Sequence, residues 1–243
     1  MEKQVYLDNN ATTMVAPEVL EAMLPFYRDM YGNASSMHYF GGRVAKYMEN
    51  ARHQIALLLG AENDFEITLT GTATESDNLA IRGITSYYKD KKHVITSATE
   101  HPAVLNMCAQ LEKEGYRVTY VPVKNDGVVD VEFLKNAVDE DTALVSIMHA
   151  NNETGVINPV EEIGAFLKER GIPFHIDGVQ AAGKIPVDVN DHGTRPLHEP
   201  LHAPPFKAKR CLKPSILLLC MTRFPAGGKP ANPDKNRWCW RWG

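Results

Sequence analysis

The sequence has no apolar run of the roughly 18 residues that a membrane helix requires. Its longest apolar stretch, Ile216-Leu217-Leu218-Leu219-Cys220-Met221, is far shorter. The opening residues, Met1 to Asp8, contain no apolar signal-peptide core, so the expected location is the cytoplasm. Cysteine is scarce: Cys108, Cys211, Cys220 and Cys239 are the four present. None sits in a C-x-x-C pair, which excludes a zinc ribbon and a dithiol redox motif, and the spacing is not that of a disulfide framework. There is no G-x-G-x-x-G and no internal repeat. The segment Gly178-Val179-Gln180-Ala181-Ala182-Gly183-Lys184 fits G-x-x-x-x-G-K, but Ile185 and Pro186 stand where a P-loop places Ser or Thr and the start of its helix. Nucleotide hydrolysis is therefore rejected.

What is present divides the chain in two. Its 243 residues are 44% hydrophobic and 23% charged, with a net charge of −4, ordinary values for a globular protein. Residues 1–191 carry 16 Lys and Arg against 28 Asp and Glu, while residues 192–243 carry 10 against 2. The second part also holds 8 of the 15 prolines and all three tryptophans. Domain organisation is read accordingly: a folded domain over residues 1–191, then a tail over 192–243, irregular or translated out of frame. A basic tail with interspersed aromatics raises single-strand nucleic-acid binding. Its charges are spread singly among prolines, which gives no stacking platform, so that reading is not favoured.

The first part alternates strand-like and helical runs. Strands are expected at Glu66–Thr70, His93–Ser97, Arg117–Val123, Ala143–His149 and Ile172–Asp177. Helices are expected at Glu75–Lys89, Val104–Gly115, Val131–Val138 and Val160–Arg170. This alternation predicts an α/β fold, a mostly parallel sheet flanked by helices. In such sheets ligands gather at the carboxyl ends of the strands.

Four polar segments fall at those ends. Thr70 to Asn78 turns from a strand into a helix with capping-box spacing, and a helix start offers free N–H groups to a phosphate. Taken alone, an ordinary capped helix is the simpler account. Asp177 ends a strand, where a carboxylate can pair with a protonated ring nitrogen of a cofactor or simply cap a turn. His175 and Asp177 point to one side of the strand, but no third residue is spaced to complete a metal site. Thr99-Glu100-His101-Pro102 and His149-Ala150-Asn151-Asn152-Glu153-Thr154-Gly155 follow two further strands. A histidine there can stack on a ring or move protons. Amides there can bond a ring substituent or build a turn. Each segment has a plain structural explanation; their coincidence at successive strand ends points to one site.

Tyr6-Leu7-Asp8-Asn9-Asn10-Ala11-Thr12-Thr13, Gly32-Asn33-Ala34-Ser35-Ser36-x-His38, Ala73-Thr74-Glu75-Ser76-x-Asn78, Glu100-His101, Asn151-Asn152-Glu153-x-Gly155 and His175-x-Asp177-x-x-Gln180 occur in this order. Over about residues 4–191 the chain thereby resembles the cysteine desulfurases, class V aminotransferase-like enzymes of fold type I that use pyridoxal 5'-phosphate (PLP). The resemblance implies that residues 1–191 form a PLP-binding large domain, truncated here. It implies that Ala73 and Thr74 hold the cofactor phosphate, that His101 stacks on the ring and serves catalysis, and that Asn152 bonds its phenolic oxygen. Asp177 would pair with the ring nitrogen and Gln180 would lie beside the ring. It further implies L-cysteine as substrate, an iron–sulfur scaffold protein as sulfur acceptor and a homodimer. Where the family carries Ser-Gly-His-Lys, whose lysine holds the cofactor covalently, this chain reads Pro200-Leu201-His202-Ala203. Lys207 and Lys209 are near but lack the pattern. The family's persulfide cysteine has no counterpart: Cys211, Cys220 and Cys239 match neither its context nor its distance, and Cys108 reads as a core thiol. The expected activity of this chain is therefore impaired, and a non-catalytic PLP-binding or partner-binding remnant, or another class V activity, stands as the alternative.

Overall fold

A computed structural model describes residues 5–189 and the backbone of residues 220–223. Helix formation begins earlier than the strand and helix pattern above. Helix α1, Pro17–Arg28, starts with proline at its first position, where a missing N–H costs nothing. Helix α2, Tyr39–Leu59, ends at Gly60, whose φ of 71° supplies the left-handed cap. A side chain at Gly60 would also meet the Asp188 carboxylate.

Helix α3 (Ala73–Tyr87) follows, and then strand β1 (His93–Ser97), helix α4 (Pro102–Lys113) and strand β2 (Arg117–Val121). Helix α5 (Val131–Ala137), strand β3 (Thr142–Met148), helix α6 (Val160–Glu169), strand β4 (Phe174–Asp177) and strand β5 (Cys220–Arg223) complete the order. The sheet runs β2-β1-β3-β4-β5. Its first four strands are parallel, and β5 is antiparallel to β4. The expected α/β architecture is thus observed.

Two expectations are corrected. Glu66–Thr70 is not a strand: Asp64–Glu66 is a turn of 3-10 helix, and the following residues find no strand partner among the described residues. Ile67 is buried instead against α2, and its carbonyl accepts from Arg52 Nε at 3.0 Å. The tail is not irregular throughout, because Cys220–Arg223 extends the sheet. The open edge of β4 presents unpaired N–H and C=O groups, and an extended segment satisfies them. Pro200 to Ala203, Lys207, Lys209, Cys211 and Cys239 lie outside the described residues, as does residue 191, the expected domain boundary.

Alternation along the strands sorts the core onto two faces. Ile95, Val145 and Ile147 pack against Leu134 of α5 and Ile163 and Leu167 of α6. Val94 and Leu144 point the other way, onto Ile81 and Ile84 of α3 and Val104, Cys108 and Leu111 of α4. Every residue of β3 is buried, as a central parallel strand covered on both faces should be. His93 is a satisfied core histidine, with Thr142 Oγ1 at 3.1 Å from one ring nitrogen and Thr119 Oγ1 at 2.8 Å from the other. Helix α1 buries no residue, and Leu7, Met14, Tyr27 and Met37 are exposed.

Candidate active site

The carboxyl ends of β1, β3 and β4 are laced together by side chains of the loops that leave them. Glu100 reaches from the β1 loop to β3, where its Oε1 accepts from Met148 N at 2.8 Å. Asn151 Nδ2 donates to Thr99 O at 3.0 Å, while its Oδ1 accepts from the Glu153 and Thr154 amides. Asn151 is thereby a turn-building residue. His149 N donates to Asp177 O at 2.9 Å, which joins the end of β3 to the end of β4.

Of the anticipated site residues, His101, Asn152, Asp177 and Gln180 lie at or just beyond the ends of β1, β3 and β4, whereas Ala73 and Thr74 open α3, which follows a 3-10 turn and not the expected strand. Thr72 caps α3, its Oγ1 accepting from Glu75 N at 3.1 Å. Glu75 turns its carboxylate back onto Gly71 N at 2.8 Å. Ala73 and Thr74 are the first two helical residues, so their N–H groups are among those a helix leaves without internal partners. His101 caps α4, Nδ1 accepting from Ala103 N at 3.1 Å. In the neutral ring that bond assigns the proton to Nε2.

Asn152 donates Nδ2 to Glu153 Oε1 at 2.8 Å and keeps a second amide hydrogen for a ligand. Its carbonyl accepts from Asn10 Nδ2 at 3.1 Å. Gln180 Nε2 donates to Asn10 O at 3.0 Å, and Lys184 Nζ donates to Asn10 Oδ1 at 3.1 Å and to Gln180 Oε1. Asn10 therefore straps the N-terminal segment across the loops that carry Asn152 and Gln180. Sequence reasoning placed Asn10 in a motif but gave it no role, and Lys184 entered only as part of a rejected P-loop. Asn10 stands 170 positions from Gln180, so the sequence held no signal for that contact. Burial lowers the Lys184 amine from its ordinary range.

Asp177 is 5% exposed, with Oδ1 accepting from Val179 N at 3.0 Å. Burial raises its pKa, and the nearby Asp77 carboxylate raises it further; Val179 N–H, His175 and His101 oppose the shift. Glu100 is pushed up to about 8 by burial, against the Met148 N–H that favours its charge. It is thus largely a neutral acid at pH 7. The buried Cys108 thiol is pushed up to about 12, chiefly by desolvation, so it is an inert core group. No helix among the described residues is long and apolar enough to cross a membrane.

This arrangement suits a planar cationic ring with an anionic substituent. Asp177 offers a buried carboxylate, one oxygen of which is held by Val179 N–H. The start of α3 offers free N–H donors and the positive end of its dipole. Asn152 retains a donor, and His101 offers an aromatic face. These are the donor types that PLP requires, so the residues present fit that cofactor.

A parallel α/β sheet with an acidic anchor at one strand end and a helix start beside it defines a cofactor-dependent enzyme fold. The chain belongs to the class-V aminotransferase family, whose profile matches residues 5–194. Enzymes of this family and its cysteine desulfurases are PLP-dependent. The chain is 54% identical over 185 residues to a cysteine desulfurase of Trichormus azollae, covering 76% of this chain and 46% of that protein. It is 49% identical over 189 residues to the cysteine desulfurase IscS of Rickettsia felis, covering 77% and 46%. Among solved structures, a NifS-like protein superposes with a TM-score of 0.76 at 44% identity, covering 79% of this chain and 53% of that one. SspA in complex with cysteine superposes at 0.74 and 40% identity, covering 77% and 54%. The chain spans about half the length of the curated relatives it matches.

Proposed function

We propose that this chain is the cofactor-binding part of a PLP-dependent cysteine desulfurase, and that the buried Asp177 at the end of β4 is the observation that carries the reading. A carboxylate held there in low dielectric pairs with a protonated ring nitrogen more strongly than it would in water. When bound, PLP supplies an electron sink for the carbon skeleton of an amino-acid substrate. Ala73 and Thr74 would hold the phosphate with backbone N–H groups. Asn152 would donate to the phenolic oxygen. Gln180, tied to Asn10 and Lys184, would lie beside the ring. His101 would cover the ring face, with its Nδ1 engaged at the helix cap and its Nε2 carrying the proton.

The substrate in this reading is L-cysteine, in line with the names of the relatives and with the cysteine complex of SspA. The full reaction converts L-cysteine and an enzyme thiol to alanine and an enzyme persulfide. An iron–sulfur scaffold protein accepts the sulfur, and the enzyme is a cytoplasmic homodimer. The reaction needs a covalent-anchor lysine and a reactive cysteine. The sequence carries Pro200-Leu201-His202-Ala203 where the family places Ser-Gly-His-Lys, so this chain binds PLP without a covalent anchor and is impaired in turnover. That departure also favours the second reading, a non-catalytic PLP-binding member of the family.

The test uses the purified chain with PLP and L-cysteine. PLP uptake is expected by fluorescence titration, with alanine and sulfide formed no faster than with free PLP. No uptake would overturn the cofactor reading, and turnover above the free-cofactor rate would overturn the impairment.

A further inference from the structure

The face of the sheet that carries Asp177 holds two more ionisable groups that the proposed chemistry does not use. Ser146 and Met148 of β3 are the register partners of His175 and Asp177 on β4. Residues two apart on a strand share a face, so His175 and Asp177 both point toward the layer of α3. Asp77, on the second turn of α3, meets them there. Its residue is 1% exposed, and His175 is fully buried. His175 Nε2 lies 3.5 Å from Asp77 Oδ1, and Ser146 Oγ lies 2.8 Å from His175 Nδ1. Neither Asp77 oxygen has a hydrogen-bond partner among the described residues. A buried carboxylate without compensation is costly, and an adjacent imidazolium supplies it. The Asp77 carboxylate thus stands at ion-pair distance from one ring nitrogen of His175, and the Ser146 hydroxyl hydrogen-bonds the other.

We infer that His175 is a positioning residue: paired with the buried Asp77, it cancels the charge of that carboxylate and so keeps Asp177 ionised where a protonated ring nitrogen would meet it. The inference rests on the cofactor reading above. Three carboxyl groups crowd this end of the sheet: Asp77, Glu100 and Asp177. Glu100 holds its proton in the neutral range, for the reasons of burial given above. His175 cancels the charge of Asp77. Among the described residues Asp177 is then left as the net negative charge at this end of the sheet, which one ring cation would neutralise. His101, at the cap of α4, acts on Asp177 in the same favourable sense as His175. Without the imidazolium, Asp77 and Asp177 become like charges sharing a buried site, and one of them takes up a proton. A protonated Asp177 no longer forms an ion pair with the ring.

The experiment uses the full 243-residue chain and two readouts. Histidine-selective 15N NMR of the protein without PLP reads the state of His175. Protons on both ring nitrogens at neutral pH are expected, with loss of that signature in Asp77→Asn; a neutral tautomer in the unmodified chain overturns the pair. PLP affinity is then measured across a cycle of His175→Gln, Asp77→Asn and both together. His175→Gln should weaken PLP by about tenfold or more, one pKa unit of lost charge being a factor of ten. Adding Asp77→Asn should restore more than half of the lost binding free energy, because it removes the stranded charge. Unchanged affinity in His175→Gln, or a smaller recovery in the double variant, overturns the inference, since a merely structural role would make the second change additive. If the unmodified chain takes up no PLP, the cofactor reading falls while the NMR still decides the pair.

Discussion

Gln180 Nε2 donates to the carbonyl of Asn10 at 3.0 Å, across 170 positions of sequence. Asn10 also donates to the Asn152 carbonyl and accepts from Lys184, so one short side chain connects three segments of the site rim. Asn10→Ala removes the side-chain bonds to Asn152 and Lys184 and leaves the Gln180 bond to its carbonyl. Exposed hydrogen bonds contribute about 0.5–1.5 kcal/mol each. PLP affinity should fall several-fold, and the urea midpoint should fall by no more than the loss of those two bonds supplies. Fluorescence titration and urea unfolding check the two halves of this expectation, and a loss of stability without loss of affinity would contradict it.

Thr72→Ala removes the oxygen that accepts the Glu75 amide at the start of α3. The loss of such a cap costs about 1 kcal/mol. The urea midpoint should drop accordingly, and PLP affinity should drop with it, because the phosphate donors belong to the same turn. Thr72→Ser should retain both properties.

Gly60 should tolerate no side chain. Its positive φ and the Asp188 carboxylate at the Cβ position act in the same direction. Gly60→Ala is expected to destabilise the chain by roughly 1–3 kcal/mol in urea unfolding. Partial relief in the Gly60→Ala, Asp188→Ala pair would show how much of the cost is collision and how much is backbone strain.

Glu100 gives a signed pH dependence. Its carboxyl is raised in the folded chain to about 8 from the 4.5 of an unperturbed glutamic acid. The folded state therefore binds more protons than the unfolded state between those values. The stabilising contribution is complete below the lower value and is lost as pH rises through the upper one. Asp177, also raised, adds a loss in the same direction. Glu100→Gln keeps an acceptor for Met148 N and removes the titration. Unfolding free energy measured from pH 5 to 9 should fall less steeply in the variant than in the unmodified chain; equal slopes would remove Glu100 from the account.

The change of composition after residue 191 has its own test. We read the tail as an out-of-frame translation, and the neighbouring frame of the gene should then encode a Ser-Gly-His-Lys segment just beyond Asp191. Its absence there would sink that explanation. If it is present, joining that frame to residues 1–191 should restore cysteine-dependent alanine formation.

Much of the sheet was legible because its strands carry β-branched residues between polar turns, as in His93–Ser97 and Thr142–Met148. Glu66–Thr70 has the same local character and still forms no strand, because a strand is made by its neighbour and no neighbour stands beside it among the described residues. Helices α1 and α2 escaped the pattern reading: α1 buries nothing, and the buried residues of α2 are confined to Gly41 and its last turns, so neither shows a full core-facing stripe. Asp177 was legible as a strand-end carboxylate. The pairing of Asp77 with His175 was not, since it depends on α3 lying over β4. Strand β5 was hidden within a tail whose prolines and scattered basic residues suggest irregular structure.

The proposed phosphate donors at Ala73 and Thr74 and the proposed acidic anchor at Asp177 stand about a hundred residues apart in the chain. At a synthesis rate of roughly 5–20 residues per second, the anchor leaves the ribosome roughly 5–20 seconds after the donors. Among the described residues, strand β4 is also the last parallel strand in chain order. A nascent chain can therefore greet the phosphate early but cannot recognise the ring until its final parallel strand is laid down, which makes cofactor capture a late event in the life of the fold.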